Sequence, residues 1–277
     1  MSDVLEAVPP SETATQQVSL DFRLTVLGSG SSGNCSLVSS QDTHLLIDAG
    51  FSGKETCKRL EARGFDPSHL TAILVTHEHS DHVKSVHTLS RKFGIPIFST
   101  QGTFNVALRE KKFADWYELF PGRSVQLGTM CVHPISLPHD AVDPIGFRIE
   151  CGERTLGHIT DFGYASGLVT ESLKGCDTLL IEANHDLEML KEGPYPWSLK
   201  QRIAGRLGHL SNESMLNMLP DILHDDVKHL VLAHLSDSNN DRRLLTLQMK
   251  RALRRLGLEK IPFTLAEQNE PLRTLDI

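Results

Sequence analysis

Short apolar runs alternate with amphipathic stretches along this chain, and glycine, proline and small polar residues separate them. Phe22 to Leu27 predicts a strand that enters the turn Gly28-Ser29-Gly30-Ser31-Ser32-Gly33. Cys35 to Ser39 and His44 to Ile47 predict the next two strands, the second stopping at Asp48-Ala49-Gly50. A helix follows from Gly53 to Arg63, closed by Gly64. Then come a strand over Ala72 to Thr76 and a helix over Val83 to Phe93, ended by Gly94 and Pro96. The second half repeats the scheme. Strands are predicted at Met130–Leu137, Ile145–Glu150, Thr155–Thr160, Thr178–Ala183 and His229–Ala233, and helices at Trp197–Arg206, Ser211–His224 and Asp241–Leu256. Strands followed by helices in two successive halves predict an α/β protein of two sheets packed face to face, with helices outside. No linker divides residues 20–277, which read as one domain. Residues 1–19 read as a disordered leader.

The chemistry concentrates directly after one strand. Residues 76 to 82 read Thr-His-Glu-His-Ser-Asp-His, so His77, His79, Asp81 and His82 fall in a loop at the end of an apolar run. Alternate residues of an extended chain point the same way, which lets His77 and His79 grip one ion, with Asp81 and His82 placed for a second. Imidazole and carboxylate are the donors that zinc and manganese accept in hydrolytic sites. Further donors follow other predicted strands: Asp48, His139, Asp161 and His234. A carboxylate such as Asp161 can bridge two cations at the spacing that two-metal hydrolysis uses. The pattern Gly28-x-Gly30-x-x-Gly33 matches a dinucleotide fingerprint in letters alone. A strand follows it where a phosphate-binding helix would be needed, so a tight hairpin is the reading adopted.

Composition narrows the setting. The chain has 277 residues, 39% hydrophobic and 23% charged, with no apolar run long enough for a membrane span. The N-terminal stretch lacks the basic start and apolar core of a secretory signal. Five cysteines stand singly, which argues against a disulfide framework or zinc ribbon and fits the cytoplasm. The net charge of −7 leaves a polyanionic partner open, because local clusters decide such binding.

Asp48, the His77-x-His79-x-Asp81-His82 run, His139, Asp161 and His234 together resemble the successive motifs of the metallo-β-lactamase fold hydrolases. That resemblance implies a four-layer αββα sandwich. It implies that His77, His79 and His139 bind one divalent ion, zinc or manganese, and that Asp81, His82 and His234 bind another. Asp161 would bridge them, and Asp48 would orient the histidine loop from behind. Bridging Asp161 stands where lactamase sites that use sulfur have cysteine, which disfavours lactams. The blocks Leu27–Asn34, Leu46–Gly50, Pro138–Gly146, Asn184–Asp186, Tyr195–Lys200, Gly208–Asn212 and His234–Ser236 are similar to the YycJ/WalJ subfamily. This similarity implies a DNA exonuclease acting from the 5′ end.

Gly208-His209-Leu210-Ser211 before a helix resembles the histidine loop of tRNase Z-type nucleases, and Glu182 resembles the carboxylate that partners it. His209 would then protonate the leaving oxygen, and a water held between the ions would be the nucleophile, with Asp81 also counted in the catalytic set. A structural role for His209, capping the next helix, is the alternative. Expected substrate contacts are Ser32, Asn34, His185, Trp197, Lys200 and Arg206, the last three in a stretch that also offers Tyr195 and Arg202. Aromatics there can stack on bases and cations can neutralise phosphates. Arg242, Arg243, Lys250, Arg251, Arg254 and Arg255 form a second basic face, read first as a solvated helix. The rival functions are a thioester or cyclic phosphodiester hydrolase of the same fold and, more distantly, a binding protein.

Overall fold

Along Thr43–Ile47, Leu45 and Ile47 face one side and Leu46 the other, and both sides are buried. Leu180 and Val231 behave in the same way against their neighbours Leu179, Ile181, Leu230 and Leu232. A strand buried on both faces needs a layer above and a layer below it. The computed structural model, which describes residues 21–277, supplies them.

The first sheet contains β1 (Phe22–Gly28), β2 (Cys35–Ser40), β3 (Thr43–Ile47), β4 (Ala72–Leu74), β5 (Ile97–Ser99) and β6 (Trp116–Glu118). The second contains β7 (Val125–Leu127), β8 (Met130–Ser136), β9 (Ile145–Cys151), β10 (Arg154–Ile159), β11 (Thr178–Glu182), β12 (His229–Ala233) and β13 (Phe263–Leu265). Finally β14 (Leu275–Asp276) returns to pair with β1. The orders are β14-β1-β2-β3-β4-β5-β6 and β13-β12-β11-β10-β9-β8-β7. Each sheet begins as an antiparallel meander and continues as parallel strands, from β3 in the first and from β10 in the second.

Helices α1 (Gly53–Glu61), α2 (Ser80–Val83), α3 (Val86–Phe93) and α4 (Gln101–Thr103) accompany the first half. Helices α5 (Gly167–Leu173), α6 (Leu187–Glu192), α7 (Trp197–Ile203), α8 (Asn212–Ile222) and α9 (Arg242–Leu256) accompany the second. Leu60 and Leu89 cover Leu46 and Ile73 on the outside of the first sheet. Met215, Leu219, Leu245 and Met249 cover Leu179, Ile181, Leu230 and Leu232 on the second. Between the sheets Leu24, Val26, Leu45, Phe147, Leu156 and Val231 form the central core. The architecture is the αββα sandwich expected. Among the described residues, no helix is long and apolar enough to cross a membrane.

Several boundaries differ for local reasons. Ser211 and Asp241 cap α8 and α9, accepting from the amides of Ser214 and Leu244, and so stand just outside the helices. The single helix expected over Val83–Phe93 is split, because the Ser85 amide donates to the Ala49 carbonyl at 2.9 Å. The strands β5, β6, β7, β13 and β14 and the helices α5 and α6 are too short for periodicity to announce them. The glycine-rich turn is a hairpin, with β1 and β2 antiparallel. The proposed leader, residues 1–19, lies outside the described residues.

That hairpin is fastened from beneath. Arg59 of α1 is largely buried, with its guanidinium 3.9 Å from the centre of the Phe51 ring. Its Nη1 donates to the carbonyls of Leu27 and Gln268, each at 2.9 Å. Gln268 in turn accepts from the Ser32 amide and donates to the Gly33 carbonyl, both at 2.8 Å. Replacing Arg59 with Met strips one buried and one half-buried carbonyl of their donor. The expected loss is about 2–3 kcal/mol, measured by urea unfolding.

Candidate metal centre

The functional side chains leave the sheets at the C-terminal ends of strands, where open α/β sheets form their crevice. Asp48 follows β3, the His77–His82 run follows β4, and His139 lies beyond β8. Asp161 follows β10, Glu182 ends β11, and His234 follows β12. Asp48, Asp161 and His234 have φ of 59°, 63° and 54°, a left-handed backbone that non-glycine residues rarely adopt. The kink ends each strand where its side chain must turn toward the site, and local strain of this kind collects at functional positions.

Asp48 is almost fully enclosed. Its Oδ1 accepts from the Thr76 amide at 2.9 Å, and its Oδ2 accepts from Thr76 Oγ1 and His82 Nδ1, both at 2.8 Å. Similar contacts set the other rings. His77 Nδ1 lies 3.0 Å from Thr76 Oγ1, and His139 Nδ1 donates to the Gly208 carbonyl at 3.0 Å. His234 Nδ1 lies 3.0 Å from Glu182 Oε1. The Thr76 hydroxyl already donates to Asp48, and the other partners are a carbonyl and carboxylates that can only accept, so a proton is directed onto Nδ1 of each ring and Nε2 is the atom presented to the centre. Orientation of this kind is what ligating histidines require.

The free atoms converge. His77, His79 and His139 offer ligand atoms within 4.8 Å of one another, and so do Asp81, His82 and His234. Asp161 joins the two groups. It clusters with His77 and His82, its Oδ2 lies 3.4 Å from His82 Nε2, and its Oδ1 lies 3.4 Å from His234 Nε2. His77 Nε2, His234 Nε2 and Asp161 Oδ2 are buried without any hydrogen-bond partner. Buried polar atoms normally find partners, and orphans aimed at one point suit a cation. The donor set therefore fits divalent metal.

The charges agree. Burial alone would raise the carboxyls of Asp161, Asp81 and Glu182, yet the imidazoles beside them hold all three below the usual carboxylate range. Burial works against a charged His234, but Asp161, Asp81 and Glu182 outweigh it and push its pKa up to about 10. His82 is raised in the same way by Asp161 and Asp48 against its burial. His77, with three histidines around it, is instead pushed down, first by burial. The pocket thus holds concentrated negative charge that protons or a cation must balance.

Glu182 is fully buried. Its Oε1 accepts from His209 Nδ1 at 2.8 Å as well as facing His234, and its Oε2 accepts from the Phe162 and Leu210 amides at 3.0 and 3.3 Å. His209 is partly exposed and lines a cleft of about 270 Å³ together with His79, Asp81, Asp161 and His234. A larger cavity of about 780 Å³, between α9 and β13, contains none of these groups, so the chemistry belongs to the smaller one.

A family model described as a beta-lactamase superfamily domain matches residues 43–235. The chain belongs to the metallo-β-lactamase superfamily. It is 36% identical to exodeoxyribonuclease YycJ of Bacillus anthracis over 241 residues, covering 86% of this chain and 91% of that relative. It is also 36% identical to exodeoxyribonuclease WalJ of Streptococcus pneumoniae over 245 residues, with the same two coverages. The metallo-β-lactamase fold protein YhfI from Bacillus subtilis matches with a TM-score of 0.68 over 91% of this chain and 99% of its own, at 17% identity, a likeness of fold alone. As a member of this superfamily, the protein is a metal-dependent hydrolase.

None of the six expected substrate contacts is among the residues that line the cleft. Asn34 is buried, accepts from the Gly30 amide and Ser29 Oγ, and donates toward Asp81 Oδ2 at 3.2 Å, so it braces a ligand candidate. His185 is buried, with Nδ1 3.3 Å from Asn184 Oδ1 and a backbone bridge to Ser211, and does not line the cleft. Ser32 sits exposed at the hairpin tip, while its neighbour Ser31 lines the cleft. Lys200 donates to the Lys191 carbonyl, and Arg206 stacks on Tyr164 at 4.2 Å. Trp197 is 68% exposed at the start of α7, away from any core. Tyr195 and Arg202 do line the cleft, with Asn184, Ser236 and Asp140. Sequence patterning missed Asp140 because it stands beside a more conspicuous histidine.

Gly50 shows how tightly the centre is assembled. Its amide donates to the Asn34 carbonyl at 3.0 Å, and a methyl group on it would overlap the Asp81 carbonyl oxygen, which accepts from the Asn34 amide. Gly50→Ala should therefore displace Asp81, cost about 2–3 kcal/mol, and lower the metal bound per chain. Thermal melting with elemental analysis checks both.

Proposed function

We propose that the protein is a two-metal phosphodiesterase acting on nucleic acid, and specifically a DNA exonuclease working from the 5′ end. The observation that carries this reading is the Glu182–His209 pair beside the ligand cluster, with His209 on the cleft surface. A nucleotide leaving group departs as a strongly basic oxygen and benefits from a proton, whereas a thioester sulfur needs none. The relatives named exodeoxyribonuclease, similar over most of the chain, support DNA as the polymer. The 5′ polarity is proposed from the similarity of the sequence blocks to the YycJ/WalJ subfamily alone.

In this reading His77, His79 and His139 hold one ion and Asp81, His82 and His234 the other, with Asp161 reaching both and Asp48 fixing His82. Zinc or manganese ions held there would activate water and offset the charge that builds on the phosphoryl oxygens. Glu182 keeps the Nδ1 proton of His209 engaged and its charged form favoured, although burial opposes that form. The Nε2 atom is then the one that faces the leaving oxygen. The free state of all five cysteines supports a reducing, cytoplasmic setting.

Two outcomes follow. Asp81→Ala or His234→Ala should lower the metal content of the purified protein and abolish degradation of 5′-labelled DNA; undiminished cleavage would overturn the assignment. His209→Ala should keep its metal while slowing DNA cleavage by about 10²–10⁴. Its loss on bis-p-nitrophenyl phosphate should be smaller, since nitrophenolate leaves without an acid. If metal content falls together with the rate, His209 is not the proton donor. Wild-type activity on the small diester without any on DNA would favour a small-molecule phosphodiesterase.

A further inference from the structure

Arg202 is the one lysine or arginine among the described residues that line the cleft. It projects from α7 with its side chain 62% exposed, and its Nε donates to Asp140 Oδ2 at 2.5 Å. Among the described residues no other hydrogen bond engages the guanidinium, which leaves Nη1 and Nη2 as donors. Asp140 is itself placed by two constraints. Its amide donates to the Leu207 carbonyl at 2.9 Å, tying it to the turn that follows α7. Its second carboxylate oxygen, Oδ1, lies 3.6 Å from His139 Nε2 and 4.0 Å from His79 Nε2. The carboxylate thus stands between the guanidinium and the first group of metal-ligand candidates.

We propose that Arg202, held by Asp140, forms a phosphate-binding subsite beside the metal centre. It takes the phosphate of the nucleotide adjacent to the cleaved bond. The inference rests on the phosphodiesterase reading above and adds a second anchoring point for a polymeric substrate. The chemistry matches: a guanidinium offers a planar fork of donors that suits phosphate oxygens, and fixing its Nε edge leaves the terminal nitrogens pointing outward. The hold by Asp140 has a second consequence. A loose arginine in this cleft would be drawn to Asp81 and Asp161, the carboxylates that the metal ions require. Asp140 engages the cation in their place.

A polymer has the adjacent phosphate and a small diester lacks it, which gives the test. In the full-length, metal-loaded protein, kcat and KM are measured on single-stranded DNA and on bis-p-nitrophenyl phosphate for wild type, Arg202→Ala, Arg202→Lys and Asp140→Asn. The loss of kcat/KM in Arg202→Ala should be roughly 10–100-fold greater on DNA than on the diester, carried mainly by KM. The salt dependence of kcat/KM on DNA should weaken by about one phosphate contact. Arg202→Lys should recover part of the loss, because charge returns without the fork. Asp140→Asn should raise KM on DNA less than Arg202→Ala does. Equal losses on both substrates, or none on DNA, would overturn the subsite while leaving the phosphodiesterase reading intact. A wild-type protein that cleaves neither substrate would remove that reading, and the subsite with it.

Discussion

One buried carboxylate fixes the geometry on which the metal centre depends. Asp48 ends β3 in a left-handed conformation and accepts from the amide and hydroxyl of Thr76 and from the His82 ring. An enclosed charge without partners would be costly, so these contacts are as obligatory as the packing around them. They lock the end of β3 to the end of β4, and with it the start of the histidine run. Thr76 passes the constraint on to His77 through the other side of its hydroxyl. Three imidazole and carboxylate groups thereby lose their freedom together, before any ion is involved.

The second half of the chain uses the same device. Glu182 at the end of β11 faces both His209 and His234, while two amides hold its other oxygen. Each sheet thus contributes one buried acid that sets histidines from behind, and Asp161 joins the two sets across the gap between the sheets. The shared hairpin completes the link. Ser29 Oγ accepts from the His234 amide, and Asn34 reaches Asp81, so one turn of the first sheet contacts ligand candidates from both halves. Its glycines permit close backbone approach, a structural use of a pattern that in letters resembles a nucleotide-binding loop.

Much of this was legible because the relevant signals are local. His77, His79, Asp81 and His82 lie within six positions, and strand-end placement marked Asp48, His139, Asp161 and His234 one by one. The central strands showed themselves through long apolar runs. The three-residue strands β5, β6, β7 and β13 were not visible, since a run that short contains no period to detect. The substrate-facing residues were the least legible. Trp197, Lys200, Arg206 and Arg202 all read as equal candidates in the sequence, but only the last lines the cleft, because α7 turns Arg202 toward Asp140 and Arg206 lies beyond the end of that helix.

By itself, the sequence determined the donor types, their attachment to strand ends and the layered α/β architecture, because these depend on residue chemistry and on periods of two and 3.6. The tertiary structure decided which nitrogen of each ring faces the centre, which carboxylate stands behind it, and which cation shares the cleft. Those choices arise from contacts between residues up to 205 positions apart, as between Ser29 and His234. No local pattern carries them, since each partner is selected by how the two sheets pack rather than by its neighbours in the chain.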